Sequence, residues 1–357
     1  MTSRLTRPSA ATAAVSALCA ATLLGAGTAA AATTLIAGEA GPNRGARAAA
    51  LQSFADDVEA RTDGEVTVDI QWGGALFKSE AAVQGIADGI ADLGTVISVY
   101  FPQEMLGYGI ADLPLANPDA WVGMRATDEL MRTSEAIAAD LADKNLVYIG
   151  TFTTSAVNIG CQGAAIRSVD DIDGLKVRGV GAYGNTFGDF GANLVSMSIY
   201  DAYQGLDTGL IDCSQGYSYA VGALKQQEVM SSYTLLDWGQ VGALGIFMNR
   251  DVHDGLDDAS REALAAAGVA MADTLGELIT ADNEKAIETM KAAGVEIIEL
   301  PAAERDKLVE RGAGYVEEWT ARADASGFDG EALLAEYRSL IDRYTAERDE
   351  RGYPWER

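Results

Sequence analysis

Histidine is almost absent from this chain: His253 is the only one in 357 residues. A Ser-His-Asp hydrolase needs a base beside its nucleophile, and His253 stands alone in the polar stretch 249–254 with no Gly-x-Ser-x-Gly elbow elsewhere. Zinc hydrolysis lacks His-Glu-x-x-His or any comparable cluster, and no stretch reads as a metal site or cofactor motif. Paired carboxylates for glycoside hydrolysis arise by chance among 53 acidic residues, so their presence argues nothing and no catalytic residue is assigned. Basic residues are scarce too, 26 against 53 acidic, for a net charge of −27. That field repels phosphate backbones and anionic headgroups, which excludes nucleic acid and the membrane surface as partners. An anionic small ligand would need one or two locally placed cations.

Cysteine is limited to Cys19, Cys161 and Cys213. Long apolar runs are missing after the first 31 residues, where no stretch approaches about 18 continuous apolar residues. Residues 1–31 have a composition of their own, with Arg4 and Arg7 followed by an apolar alanine-rich run from Ala10 to Leu24 and then the small residues 29–32. This is the pattern of a secretory signal peptide cleaved near Ala31, with no membrane insertion of the mature chain. Leu18 is too bulky before Cys19 for a lipoprotein site. Export leaves Cys161 and Cys213, for which a disulfide and two buried thiols are both open.

The remainder alternates short β-rich runs with helical ones, the mark of α/β architecture. Strands are expected at 35–38, 66–71, 93–96 and 146–151, with helices at 43–61, 80–86 and 121–143 between them. The alternation restarts near Val157, with strands at 175–178, 194–197 and 211–213 and a run of strand character from Tyr233 to Met248. Asp258 is a suitable N-cap for a helix reaching about Gly294, roughly 50 Å at 1.5 Å per residue, which Gly268 interrupts with a poor helix former. A strand at 295–300 and helices at 302–325 and 330–348 follow. The organisation expected is lobe I at 32–156 with part of 247–357, lobe II at 157–246, a connecting helix at 258–294 and C-terminal helices at 295–357 packing back. One internal echo supports paired lobes. A helix, Gly89-Ile90-Ala91-Asp92 and a strand in the first half match a helix, Gly209-Leu210-Ile211-Asp212 and a strand in the second, with each glycine supplying a left-handed helix end.

Several segments carry a specific likeness: Phe54-Ala55-Asp56-Asp57-Val58 with Thr62-Asp63-Gly64-Glu65-Val66, then Asp112-Leu113-Pro114, and above all 169–178, Val-Asp-Asp-Ile-Asp-Gly-Leu-Lys-Val-Arg. Tyr200-Asp201-Ala202-Tyr203-Gln204-Gly205-Leu206 and Phe247-Met248-Asn249-Arg250-Asp251 follow in order. The mature chain resembles the DctP-type substrate-binding proteins of tripartite ATP-independent periplasmic (TRAP) transporters. The resemblance implies a two-lobed periplasmic-binding-protein architecture with hinge strands and a long helix spanning both lobes. It also implies a ligand enclosed between the lobes, a periplasmic location and delivery to the membrane subunits of a TRAP permease. A ligand-presenting partner of a sensor shares the same binding logic, and a secreted hydrolase is the rival from another class.

The resemblance gives Arg178 the central role. The arginine ending this strand pairs with the ligand carboxylate in similar proteins, and a guanidinium fork offers two parallel charge-assisted hydrogen bonds to such a group. Asn158, entering the second lobe, and Gln215, three residues past Asp212, fall where relatives place polar ligand contacts. Gly216 departs from the asparagine frequent there, which argues against the usual recognition of a C4-dicarboxylate. Aromatic walls suit an acid with a bulkier or partly apolar body; Trp238 and Tyr217 are the contacts chosen, with Tyr219, Trp72 and Tyr100 in neighbouring segments.

Overall fold

The computed structural model describes residues 32–357; the expected signal segment lies outside the described residues. Within them, the alternating pattern forms eleven strands: β1 (Thr33–Gly38), β2 (Val66–Gln71), β3 (Leu93–Ile97), β4 (Leu146–Phe152), β5 (Val157–Cys161), β6 (Lys176–Arg178), β7 (Asn193–Val195), β8 (Cys213–Tyr217), β9 (Ser232–Leu235), β10 (Leu244–Asn249) and β11 (Glu296–Glu299). They build a five-stranded sheet ordered β2-β1-β3-β10-β4 and a six-stranded sheet ordered β11-β9-β5-β8-β6-β7. The central strands β3, β5, β8 and β10 are buried along their whole length, as expected where helices cover both faces of a sheet.

The sequence echo is a structural repeat. In the first sheet β2, β1 and β3 run parallel and β10 antiparallel; in the second, β7, β6 and β8 run parallel and β5 antiparallel. Gly89 and Gly209 adopt φ of 75° and 71°, the left-handed conformation that ends each helix. Each aspartate then clamps the neighbouring parallel strand. Asp92 accepts the Ile36 N–H at 2.7 Å and donates its own N–H to Ile36 O at 2.9 Å. Asp212 does the same with Lys176, at 2.8 Å in both directions.

A 35-residue helix, Asp258–Ala292, joins the sheets. Its length and composition would suffice for a membrane span, though charged residues interrupt the run, and half of its most apolar window is buried inside the protein. Leu264, Met271, Leu275 and Ile279 pack into the core under the first sheet, whereas Ala286 and Met290 pack with Ile211, Tyr233 and Val295 of the second. Gly268 sits where helix and β4 touch: a Cβ there would lie 2.1 Å from Ile149 O, and one on Gly150 would lie 2.8 Å from Gly268 Cα. The helix-weakening glycine of the sequence is what lets the rod lie against the sheet.

Some expected elements shift. The single helix at 121–143 is two, Ala120–Thr133 and Glu135–Ala142, because Ser134 takes an extended ψ of 103° and caps the second. Asp257, not Asp258, caps the long helix, accepting the Ser260 N–H at 2.7 Å, while Asp258 pairs with Arg261. The strand placed at 211–213 begins at Cys213 and runs to Tyr217; Ile211 is held in the preceding turn by Gly205 O. The strand-like run 233–248 is β9 and β10 in different sheets, joined by the crossing segment 236–243. Cys161 and Cys213 face each other on β5 and β8 and form a disulfide.

Gly268→Ala is expected to destabilise the protein by about 1–3 kcal/mol through forced overpacking, against the gain of about 1 kcal/mol that the same change brings in an open helix. The urea midpoint of the variant against wild type gives the sign.

Candidate functional site

Ligands of open α/β sheets bind outside the carboxyl ends of parallel strands. In this chain those ends bring Tyr100 (after β3) and Arg178 (closing β6) to one cleft between the sheets, while Glu39 (after β1) lies behind the lining residue Arg47. The cleft holds about 660 Å³ of atom-free space, part of it open to solvent, within the range of small-molecule sites. Arg44, Arg47, Val99 and Tyr100 line it from the side of the first sheet, Arg178, Ile199, Tyr217 and Tyr219 from the second, and Thr154 and Val241 from the crossing segments.

Arg178 is 1% exposed, and among the described residues it pairs with no carboxylate. Its partners are neutral oxygens: Nε donates to Met197 O at 3.2 Å, Nη1 to Gln215 O at 3.0 Å and Nη2 to the Tyr100 hydroxyl at 3.1 Å. Of the five guanidinium N–H groups, one on each terminal nitrogen is left over. The Tyr100 hydroxyl also accepts the Ile199 N–H at 3.1 Å, so its lone pairs are occupied and its proton is available to donate. Tyr100 thereby bridges the cleft from β3 to the second sheet. Burial raises the pKa of Tyr217 and Tyr219, Arg178 and Arg47 respectively opposing it; both phenols are neutral at physiological pH.

The other sequence candidates lie outside the cleft lining. Asn158 is 2% exposed; its carbonyl accepts the Leu236 and Asp237 N–H groups at 2.8 and 3.0 Å, and its amide donates to Ser218 at 3.2 Å. It brackets the crossing segment. Gln215 accepts the Val180 N–H at 2.9 Å, and its backbone carbonyl holds Arg178, so it positions the arginine from behind. Trp238 is 1% exposed and packs edge-on against Tyr183 at 4.8 Å. Its ring also abuts Gly312 of the helix Ala302–Ala325. It belongs to the core, because the loop after β9 turns its side chain toward the C-terminal helices. Trp72 likewise packs on the core away from the cleft.

Sequence reasoning missed Arg47, Tyr200 and Glu39. Arg47 opens the helix Ala46–Arg61, pairs with buried Glu39, donates to the Tyr200 hydroxyl, and lies over the Phe152 and Tyr200 rings at 5.2 and 5.3 Å. Glu39 also accepts the Thr95 hydroxyl at 2.7 Å. The signal available was position: Glu39 is the residue just past the end of β1. Among the described residues no three His, Cys, Asp or Glu side chains come together in metal-binding fashion.

Behind the cleft, Asp112 ties the end of β3 to the crossing segment, accepting the Ser98 hydroxyl and the Ala243 N–H at 2.5 and 2.9 Å. Burial outweighs these bonds and raises its pKa to about 6.

Residues 37–322 match the family described as bacterial extracellular solute-binding protein, family 7, or DctP. The chain belongs to that family, whose members are substrate-binding proteins outside the cytoplasm and not enzymes. The 2,3-diketo-L-gulonate-binding periplasmic protein YiaO of Escherichia coli is 26% identical over 251 residues, covering 70% of this chain and 76% of its own. The C4-dicarboxylate-binding periplasmic protein DctP of Rhodobacter capsulatus is 25% identical over 256 residues, covering 71% and 76%. A TRAP solute-binding protein from Rhodoferax ferrireducens, solved with copurified benzoate, superposes with a TM-score of 0.80 at 20% identity over 88% of this chain and 99% of its own. The fold is the two-lobed α/β architecture of these binding proteins.

The raised Asp112 pKa has a sign. The folded state holds this proton more tightly than the unfolded chain, so the stabilising effect of protonation is present at low pH and is lost as pH rises through about 6. Between pH 7.5 and pH 5, wild type is expected to gain about 1 kcal/mol relative to Asp112→Asn, read as the change in the difference between their melting temperatures.

Proposed function

We propose that this protein captures a small organic acid in the cleft between its lobes, with Arg178 as the carboxylate receptor, and hands it to the membrane subunits of a TRAP permease. One observation carries the proposal: a guanidinium buried to 1% exposure with no carboxylate partner among the described residues. A buried cation without a counter-ion is unfavourable, and a ligand carboxylate placed on its two spare N–H groups supplies that counter-ion in bidentate geometry. The relatives support this. Their names specify a diketogulonate, a C4-dicarboxylate and a benzoate, three acids whose bodies have little in common beyond the carboxylate.

Closure follows from the same contacts. Arg178 and Tyr217 belong to the second sheet, and Tyr100 reaches them from the first. The lobes, 32–156 with part of 247–357 and 157–246, would pivot on the crossing segments 153–156 and 236–243, so that a carboxylate on Arg178 also accepts the Tyr100 proton only when the cleft is shut. Asn158 and Gln215 serve as positioning residues on this account, and Trp238 as packing. Export by the N-terminal 31 residues would deliver the chain to the periplasm, where Cys161 and Cys213 oxidise.

A thermal-shift screen against organic acids tests capture. An acid at 100 times its Kd is expected to add about 2.7 kcal/mol to stability, and Arg178→Ala to weaken that acid at least 100-fold while the variant stays folded. A hit whose affinity is unchanged in Arg178→Ala places the carboxylate elsewhere. Tyr100→Phe is expected to weaken binding by roughly 10- to 150-fold, in line with about 1.5–3 kcal/mol for a hydrogen bond to a charged group. Uptake of the hit by vesicles holding the permease subunits, dependent on this protein, tests delivery; a sensor partner would leave uptake unaffected.

A further inference from the structure

Two arginines face the interior of the cleft, and the structure treats them differently. Arg178 meets only neutral oxygens. Arg47 is held by Glu39, which is 2% exposed and takes both the Arg47 guanidinium and the Gly41 N–H on one oxygen and the Thr95 hydroxyl on the other. Glu39 is therefore fixed by the backbone and by Thr95 independently of Arg47, and its charge cancels that of Arg47 at contact distance. We infer that Glu39 sets the charge the cleft accepts: it silences Arg47, leaving Arg178, among the described residues, as the one buried cation of the lining without a carboxylate partner, and selecting ligands with one carboxylate and an uncharged, largely apolar body. This rests on Arg178 holding the ligand carboxylate, and it names the class of acid that does so.

The rest of the lining agrees. Among the described residues no Asp, Glu, Asn, Gln or Ser lines the cavity; beyond the arginines and Thr154 its polar side-chain atoms are tyrosine hydroxyls. Thr154 is engaged with the Val241 N–H at 3.0 Å and Tyr200 with Arg47, so a hydroxyl-rich sugar acid would leave most of its groups without partners. Ile97, Val99, Val180, Ile199, Val241 and Leu244 supply an apolar surface for the ligand body. Arg44 is exposed at the rim and bonded to Ala223 O. A second carboxylate reaching it would be paired in water, where the attraction is weak and screened.

Isothermal titration of the purified full chain with phenylacetate, hexanoate, succinate and glucuronate decides the matter, run on wild type, Glu39→Gln, the double variant Glu39→Gln/Arg47→Gln, and Arg178→Ala. Wild type is expected to bind phenylacetate or hexanoate at least 30-fold more tightly than succinate and glucuronate. Glu39→Gln uncovers Arg47 and is expected to narrow the preference over succinate tenfold or more through a gain for succinate. The double variant, neutral and similar in shape, is expected to keep the wild-type order, and with the wild-type series it decides the question even should Glu39→Gln fail to fold. Succinate or glucuronate binding wild type as tightly as the monocarboxylates, with Arg178→Ala abolishing both, overturns the inference and leaves capture by Arg178 standing. A double variant that loses more than tenfold in monocarboxylate affinity also overturns it, since Arg47 would then be acting on the ligand. Absence of any Arg178-dependent binding removes the capture proposal itself.

Discussion

A guanidinium buried without a carboxylate beside it has to be held by dipoles, and the elements around Arg178 supply them. The carbonyl of Met197, the carbonyl of Gln215 and the hydroxyl of Tyr100 come from three separate segments. Two of those segments belong to the second sheet and one to the first, so the arginine depends on strand pairing within one lobe and on the other lobe lying close. The arrangement keeps the charge solvated by fixed groups and leaves two N–H groups for a further acceptor. Met197 O and Gln215 O both come from the side of the second sheet and hold the guanidinium whether or not the lobes close, which on the proposed function limits the ordering cost of binding.

The same sparing use of positive charge runs through the molecule. Carboxylates outnumber basic groups two to one; Arg311 and Arg348 bridge distant segments by pairing with Asp189 and Asp119, and Arg47 pairs with Glu39, whereas Arg44 and Arg322 bridge to the carbonyls of Ala223 and Pro102. Arg178 differs from Arg44 in being buried, and among the described residues it meets no carboxylate. The overall negative field slows the approach of any anion at low ionic strength, so a ligand captured as proposed would be selected by short-range geometry within the cleft, not by steering toward it.

Much of this was legible in the chain. Strand and helix positions followed from periodicity, and the Gly-x-x-Asp echo read correctly as a duplicated joint because a glycine at positive φ and a clamping aspartate are both local requirements. Arg178 was reached through the segment 169–178, and it lines the cleft. The misses share a cause. Trp238 and Asn158 sit in or beside the crossing segment, where side-chain direction is set by tertiary contacts: Trp238 packs on Tyr183, Phe187 and Gly312, and Asn158 bonds the backbone of Leu236 and Asp237. Glu39 and Arg47 look ordinary in sequence, since one is an acid after a strand and the other a basic residue in a helix's first turn. Their pairing exists only once β1 and that helix fold back on each other. Gly268 was read as a weakness because helix propensity is local and the approach of β4 is not.

The position of β10 has a consequence for how the chain comes together. It lies between β3 and β4 and pairs with both, yet it is reached only after the whole stretch from β5 to β9 has been traversed. The first 152 residues therefore contain four of the five strands of their sheet and lack the one that ties β4 to the rest. A chain made N-terminus first cannot finish the sheet it began until residue 249 has followed. The second sheet's β5 to β8 core, contiguous in sequence, can assemble earlier, while the first waits with an open edge at β3. Such long-range closure is slow relative to local pairing, and it makes completion of the older half conditional on arrival of the younger.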